Sequence, residues 1–136
     1  MPSLKDYHIL ISHSWDYSRH YKIISEWLDA TPFFRWTDYS VPITRPLTVS
    51  GVNDLKEKII NRISLCSCVI ILSGMYVAYS NWIDFEIDVA NDLEKPIIGV
   101  KPWGQDRIPT KVQNNADIMV GWNSNSVVNA VRIYAL

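Results

Sequence analysis

Ser67-Cys68-Val69-Ile70-Ile71-Leu72-Ser73 is the most apolar strand-length run in the chain. Its apolar residues are consecutive rather than alternate, so a strand formed here buries both of its faces. Such a strand belongs in the middle of a parallel sheet with helices on each side. The flanking sequence agrees. Upstream, Val52 to Leu65 has helical spacing. Before it, Pro42 and Pro46 make Thr37 to Ser50 a long irregular loop, and Phe33 to Trp36 reads as a short strand. Earlier still, Tyr17 to Ala30 places Tyr21, Ile24, Trp27 and Leu28 on one helical face, and Tyr7 to Ser12 reads as the first strand. Downstream, a helix from Ser80 to Glu94 ends at Lys95-Pro96. Pro96 to Val100 and Asp117 to Val120 come next as strands, separated by a loop around Trp103-Gly104 and a helical turn near Thr110. Val127 to Tyr134 is the last helix.

Five short strands alternating with helices predict an α/β, flavodoxin-like sandwich: a mainly parallel sheet of order 2-1-3-4-5 with helices on both faces. Ligands in such a sheet lie beyond the carboxyl ends of the first and third strands. Those ends are Ser12-His13-Ser14-Trp15 and Ser73-Gly74-Met75-Tyr76.

The 136 residues suit one domain, spanning 1–136. A net charge of −1, with 13 scattered basic residues, gives no support for a nucleic-acid or anionic-membrane surface. The opening Met1-Pro2-Ser3-Leu4-Lys5-Asp6 carries no secretory pattern, and no apolar run approaches the roughly 18 residues of a membrane span, so the expected location is cytoplasmic. Cys66 and Cys68 lie within an apolar run, make a poor zinc site as two lone sulfurs, and are expected as buried free thiols.

The helix from Ser80 holds the residue that does not belong. At about 100° per residue, Phe85, Val89, Leu93, Ala90, Ile83 and Ile87 spread over an arc centred roughly 40° from Trp82. Asp84, Asp88, Asn91 and Asp92 fall on the opposite side, and Glu86 falls at the centre of the apolar arc. A desolvated glutamate needs a partner or a raised pKa. Two readings are open: a salt bridge to a Lys or Arg elsewhere in the chain or snorkelling at the sheet's edge, or else projection into a pocket at the carboxyl edge of the sheet, from the helix's second turn.

Other chemistries find no support. No Gly-rich dinucleotide fingerprint comes after the first strand, and neither a Walker loop nor a Gly-x-Ser-x-Gly elbow occurs. Ser73-Gly74 stands where a phospho-receiver domain would carry an aspartate. His8, His13 and His20 have no metal-ligand spacing, so no metal is expected. N-glycosidic cleavage fits better, since one carboxylate can stabilise the oxocarbenium-like state at a ribose.

The same residues resemble a family. The opening His8-Ile9-Leu10-Ile11-Ser12-His13-Ser14-Trp15 is similar to the first strand and loop of TIR domains, and Val41-Pro42 to their BB loop. Ser80-Asn81-Trp82-Ile83-Asp84-Phe85-Glu86-Ile87 resembles the segment in which a tryptophan precedes the catalytic glutamate by four residues. Tyr76, Tyr79 and Lys95-Pro96-Ile97-Ile98-Gly99-Val100-Lys101-Pro102-Trp103-Gly104 bring the chain nearest to the TIR-like, NAD-cleaving proteins of Thoeris antiphage defence.

The resemblance implies Glu86 as the catalytic residue and Trp82 on the nicotinamide side. It adds Ser12, His13, Ser14, Trp15, Val41, Pro42, Tyr76 and Tyr79 as substrate-binding residues. NAD⁺ is then a substrate and no cofactor is expected. A cyclic or modified ADP-ribose would pass to a separate effector protein after triggering by a phage component, with self-association through the domain possible. Ser14 and Trp15 stand where NAD-cleaving TIR domains often carry basic residues, so the residues holding the phosphates are not identified. Two alternatives remain: a non-catalytic TIR interaction module using Thr37 to Ser50 as its contact surface, and a nucleoside deoxyribosyltransferase.

Overall fold

The computed structural model describes residues 5–14, 18–43, 49–73, 76–101 and 109–136, with the backbone alone for 14, 18, 42, 43, 49, 50 and 76–79. Strands and helices run in the order β1 (Asp6–Ser14), α1 (Ser18–Ala30), β2 (Arg35–Asp38), β3 (Pro42–Ile43), α2 (Val49–Ser64), β4 (Cys68–Leu72), α3 (Tyr76–Asp92), β5 (Ile97–Val100), α4 (Thr110–Asn115), β6 (Ile118–Val120) and α5 (Ser124–Tyr134).

The sheet has the order β2-β1-β4-β5-β6, with every pairing parallel. Over its five main strands this is the 2-1-3-4-5 order expected of the flavodoxin-like class. All five residues of β4 and all four of β5 are buried, as continuous apolar runs covered on both faces require. Each helix turns a narrow stripe inward. Ile24 and Leu28 of α1, Leu55, Ile59 and Ile63 of α2, and Val127, Val128, Ala130 and Val131 of α5 enter the core. Helix α1 packs on α5, while α3 packs on α2 and α4. Among the described residues, no helix is long and apolar enough to cross a membrane.

Several boundaries differ from the sequence reading, each for a local reason. Strand β2 begins two residues later than expected, because the chain turns through Phe33, which takes a left-handed φ of 56° and is exposed. Helix α2 begins at Val49 and takes Gly51 into its first turn, where the N–H groups have no helical acceptor in any case. Helix α3 begins at Tyr76 instead of Ser80, so Glu86 sits in its third turn and not its second. Helix α5 begins at Ser124, capped by the Asn123 side chain, which accepts from the Ser126 N–H at 3.1 Å.

The expected loop from Thr37 to Ser50 includes regular structure at its described residues, while 44–48 lie outside them. Thr37 and Asp38 belong to β2, and residues 49 and 50 belong to α2. Strand β3 pairs with the end of β1, His13 opposite Pro42 and Ser14 opposite Ile43. Between β2 and β3 the ladder is carried by other groups. The Tyr39 N–H donates to Ile9 O at 2.8 Å, and the Ile11 N–H donates to Ser40 Oγ at 2.9 Å. A proline at the start of a two-residue strand lacks a donor that this edge does not need.

Helix α3 ends in a left-handed cap. Glu94 takes φ 56°, its N–H donates to Asn91 O at 3.1 Å, and the Lys95 N–H donates to Ala90 O at 2.7 Å. This is the paired closure of a Schellman motif, with glutamate in the position usually given to glycine.

Candidate active site

Side chains alternate across a strand, and β1 uses that alternation at its carboxyl end. Ser12, opposite Ile71 of β4, faces α3, and its hydroxyl donates to Glu86 Oε1 at 2.6 Å. His13 turns to the other face and stacks on Tyr21 of α1, with ring centres 3.9 Å apart. The structure therefore brings Ser12 and Glu86 together and does not bring His13 to them.

Glu86 is wholly buried, on a stripe with Ile83, Ile87 and Ala90. That stripe narrows the broader expected arc: Trp82, Phe85 and Val89 are half-buried on its flank, and Leu93, just past the helix end, is partly exposed. Among the described residues, Glu86 Oε2 has no hydrogen-bond partner and no cation pairs with the carboxylate. Burial pushes the Glu86 carboxyl up to about 7, against a smaller downward pull from the Ser12 hydrogen bond. Of the two readings open for this residue, the salt bridge finds no partner there.

Asp84 differs from its expected solvent-facing place. It is half-buried, and its Oδ1 is covered without a partner. One turn further on, Asp88 is exposed and accepts from Lys111 Nζ of α4 at 2.9 Å.

On the opposite face, His13 Nδ1 lies 2.9 Å from Ile11 O and must donate to it, since a carbonyl only accepts. Burial holds the His13 imidazole below its usual range, against upward pulls from that hydrogen bond and from Asp38. Tyr21 donates its hydroxyl to Asp38 Oδ2, and burial together with that carboxylate pushes its phenol up to about 12. The sequence reading places Tyr21 on the buried helical face and Asp38 in a loop. Their pairing is hidden from it because it depends on β2 running to Asp38.

The remaining expected site residues are spread over several elements. Val41 is buried in the core. Trp82 packs against the core with its ring edge-on to Phe85 at 6.3 Å. Ser14 is the last residue of β1, Pro42 opens β3, and Tyr76 and Tyr79 lie in the first turn of α3. Trp15 falls outside the described residues, as does the loop at Trp103-Gly104. Ser73, at the end of the third main strand, donates to Val100 O at 3.2 Å. Among the described residues, His, Cys, Asp and Glu side chains do not gather in threes at metal-binding range.

A doubly covered parallel sheet with a buried carboxyl at its carboxyl edge defines an α/β domain with a buried acidic centre. The chain belongs to the family described as the TIR-like domain of the Thoeris protein ThsB, whose sequence profile matches residues 8–107. No curated protein sequence matches it. Among solved structures, the chain is similar to the CMP N-glycosidase of Clostridium botulinum, with a TM-score of 0.57, 11% identity, and 92% of this chain and 98% of that one covered. It is also similar to a protein of unknown function from Vibrio parahaemolyticus, with a TM-score of 0.52, 12% identity, and 90% and 97% covered. At these identities the likeness is one of fold.

Proposed function

We propose that the chain is a TIR-type NAD⁺ glycohydrolase or cyclase that breaks the nicotinamide–ribose bond with Glu86 as its catalytic residue. One observation carries this reading. At the carboxyl edge of the sheet a glutamate is fully buried, with one oxygen held by Ser12 and the other without a partner among the described residues. Such an oxygen is costly unless something arrives to use it.

An oxocarbenium-like ribose is a suitable arrival. As the bond to nicotinamide lengthens, positive charge grows on the ribose carbon, and a carboxylate at that position stabilises it most in the transition state. Nicotinamide departs as a neutral molecule, so no separate general acid is required. Trp82 would line the nicotinamide side, with residues of the β1 end and of the first turn of α3 around it. Because Glu86 is wholly covered, substrate reaches it only when the chain over it moves aside.

The product is proposed to be a cyclic or conjugated ADP-ribose that serves as a signal for a separate effector, formed after a phage component triggers the enzyme. A nucleophile held beside the ribose carbon competes with water at a high effective molarity.

The test is to incubate the purified chain, with and without lysate from infected cells, separately with NAD⁺, with CMP and with a deoxynucleoside. Free nicotinamide from NAD⁺ alone is expected, with a product one water lighter than ADP-ribose or heavier by the mass of an acceptor. Free cytosine from CMP in its place would assign the carboxyl to nucleotide N-glycosidase chemistry, the activity named for the Clostridium botulinum structure. No free base from any substrate would favour an interaction module. Linear ADP-ribose as the sole product would leave plain hydrolysis.

A further inference from the structure

The Ser12 side chain is expected to touch substrate, yet its hydroxyl carries one proton and that proton is given to Glu86 Oε1 at 2.6 Å. The two residues are 74 positions apart in the chain, so the bond ties a helix to a strand. The strand end is rigid, since β1 is paired on both sides: Ser12 lies opposite Ile71 of β4, and its neighbour His13 lies opposite Pro42 of β3. Both the Ser12 and the Glu86 side chains are fully buried.

We propose that Ser12 is the positioning residue of Glu86, fixing the carboxyl plane through Oε1 so that Oε2 is the oxygen presented to substrate. This deepens the function proposed above and rests on it. Without the bond, the glutamate keeps three rotatable side-chain torsions and no polar anchor. With it, one oxygen is committed, and the unpartnered one is left for a ligand that offers a single hydroxyl donor or a growing positive charge. Ser12 acts through Glu86 and makes no contact with the ribose.

The bond also bears on when Glu86 ionises, because a hydroxyl donor favours the charged form of its acceptor. The cations and the histidine around α3 are held by other groups. Lys56 of α2 lies over the Phe85 ring, Lys111 of α4 is paired with Asp88, and His13 of β1 is turned to the other face. Cys68 lies on β4, the half-buried Asp84 and the exposed Asp92 on α3 itself, and the further charges of α2 are exposed or half-buried. Among the described residues, none of them hydrogen-bonds or ion-pairs with Glu86.

The test compares the full chain with Ser12→Ala and Ser12→Thr by two readouts. The first is kcat and KM for NAD⁺ across pH. The second is an infrared titration of the protonated Glu86 carboxyl in the free protein, assigned by its loss in Glu86→Gln. In Ser12→Ala the carboxyl band is expected to persist to about one pH unit higher, the size a hydrogen bond to a charged group implies. The acid limb of kcat should move with it, while KM stays within about twofold. Ser12→Thr, which restores a donor, should return both to their original positions. A folded Ser12→Ala whose band and limb stay in place overturns the proposal, as does a loss of turnover that no rise in pH recovers. Should Ser12→Ala fail to fold, Ser12→Cys keeps a weak donor and is expected to shift both readouts in the same direction by less. If Glu86→Gln still cleaves NAD⁺ at the original rate, the proposed function fails, and the infrared titration alone decides the role of Ser12.

Discussion

At pH 6, Glu86 holds a proton that an exposed glutamate has already lost. Its folded pKa of about 7 lies above the ordinary value of 4.5, with burial as the main cause. The native state therefore binds this proton more tightly than the unfolded chain. The stability linked to it is fully present below pH 4.5 and is lost as pH rises through about 7, after which it is constant. The gap corresponds to about 3 kcal/mol. Glu86→Gln cannot ionise, so it should match the parent chain near pH 4 and exceed its stability by up to about 3 kcal/mol at about pH 8, measured by urea unfolding at each pH. The same substitution should cut NAD⁺ cleavage by about 100-fold or more, because an amide cannot stabilise the oxocarbenium charge. A variant more stable yet inactive separates a functional carboxyl from a structural one. Equal stability at the alkaline end would show that the carboxyl ionises as an exposed one does. In the parent chain, kcat should rise with pH through about 7 as the carboxylate forms.

Among the elements, α3 shows how far the sequence is legible and where it stops being so. The wheel from Ser80 singles out Glu86 because the apolar spacing of Ile83, Ile87 and Ala90 is a local property of a helix. The start of that helix is not marked: Tyr76-Val77-Ala78-Tyr79 offers no capping residue, and the boundary depends on how the chain leaves β4 in space. The order of the strands can be read because continuous apolar runs and crossover rules constrain a parallel sheet strongly. Strand β3 cannot, since a two-residue pairing with β1 has no periodicity to detect. Nor can the choice between Ser12 and His13 as the partner of Glu86, because nothing in the sequence says which face of β1 looks toward α3.

Two expectations belong at this scale. Glu94 sits at a left-handed φ of 56° in the cap of α3, which costs a residue with a Cβ about 1 kcal/mol more than glycine. Glu94→Gly should add stability of that size, seen as a higher urea midpoint, without changing NAD⁺ cleavage. A lower midpoint would mean that the Glu94 side chain contributes more than its backbone costs. Hydrogen exchange should find the Tyr39 amide, bonded to Ile9 O, as slow as those of the adjoining strand. A Tyr39 amide exchanging as fast as an open loop would favour the irregular loop expected from the sequence.

For the molecule as a whole, the sheet's middle is its most protected part, and that protection makes the two cysteines useful. Both are free and buried, with burial pushing the Cys66 thiol up to about 12 and the Cys68 thiol up as well. An alkylating reagent needs a thiolate it can reach, and the folded chain denies it both. Labelling must then wait for the chain to open, which turns each thiol into a clock. Cys68 lies in β4, between β1 and β5, so it should be exposed only by global unfolding, whereas Cys66 sits just ahead of the strand and needs a smaller opening. When reclosing outruns labelling, the rate at Cys68 falls about tenfold for each 1.4 kcal/mol of added stability. Glu94→Gly should therefore slow alkylation of Cys68 about fivefold, read by peptide mass, and leave Cys66 less affected. Equal rates at the two positions, unmoved by that substitution, would mean that the middle of the sheet opens without the rest. Two sulfurs with a single residue between them would then time two different events, the loosening of one strand's entrance and the coming apart of the whole.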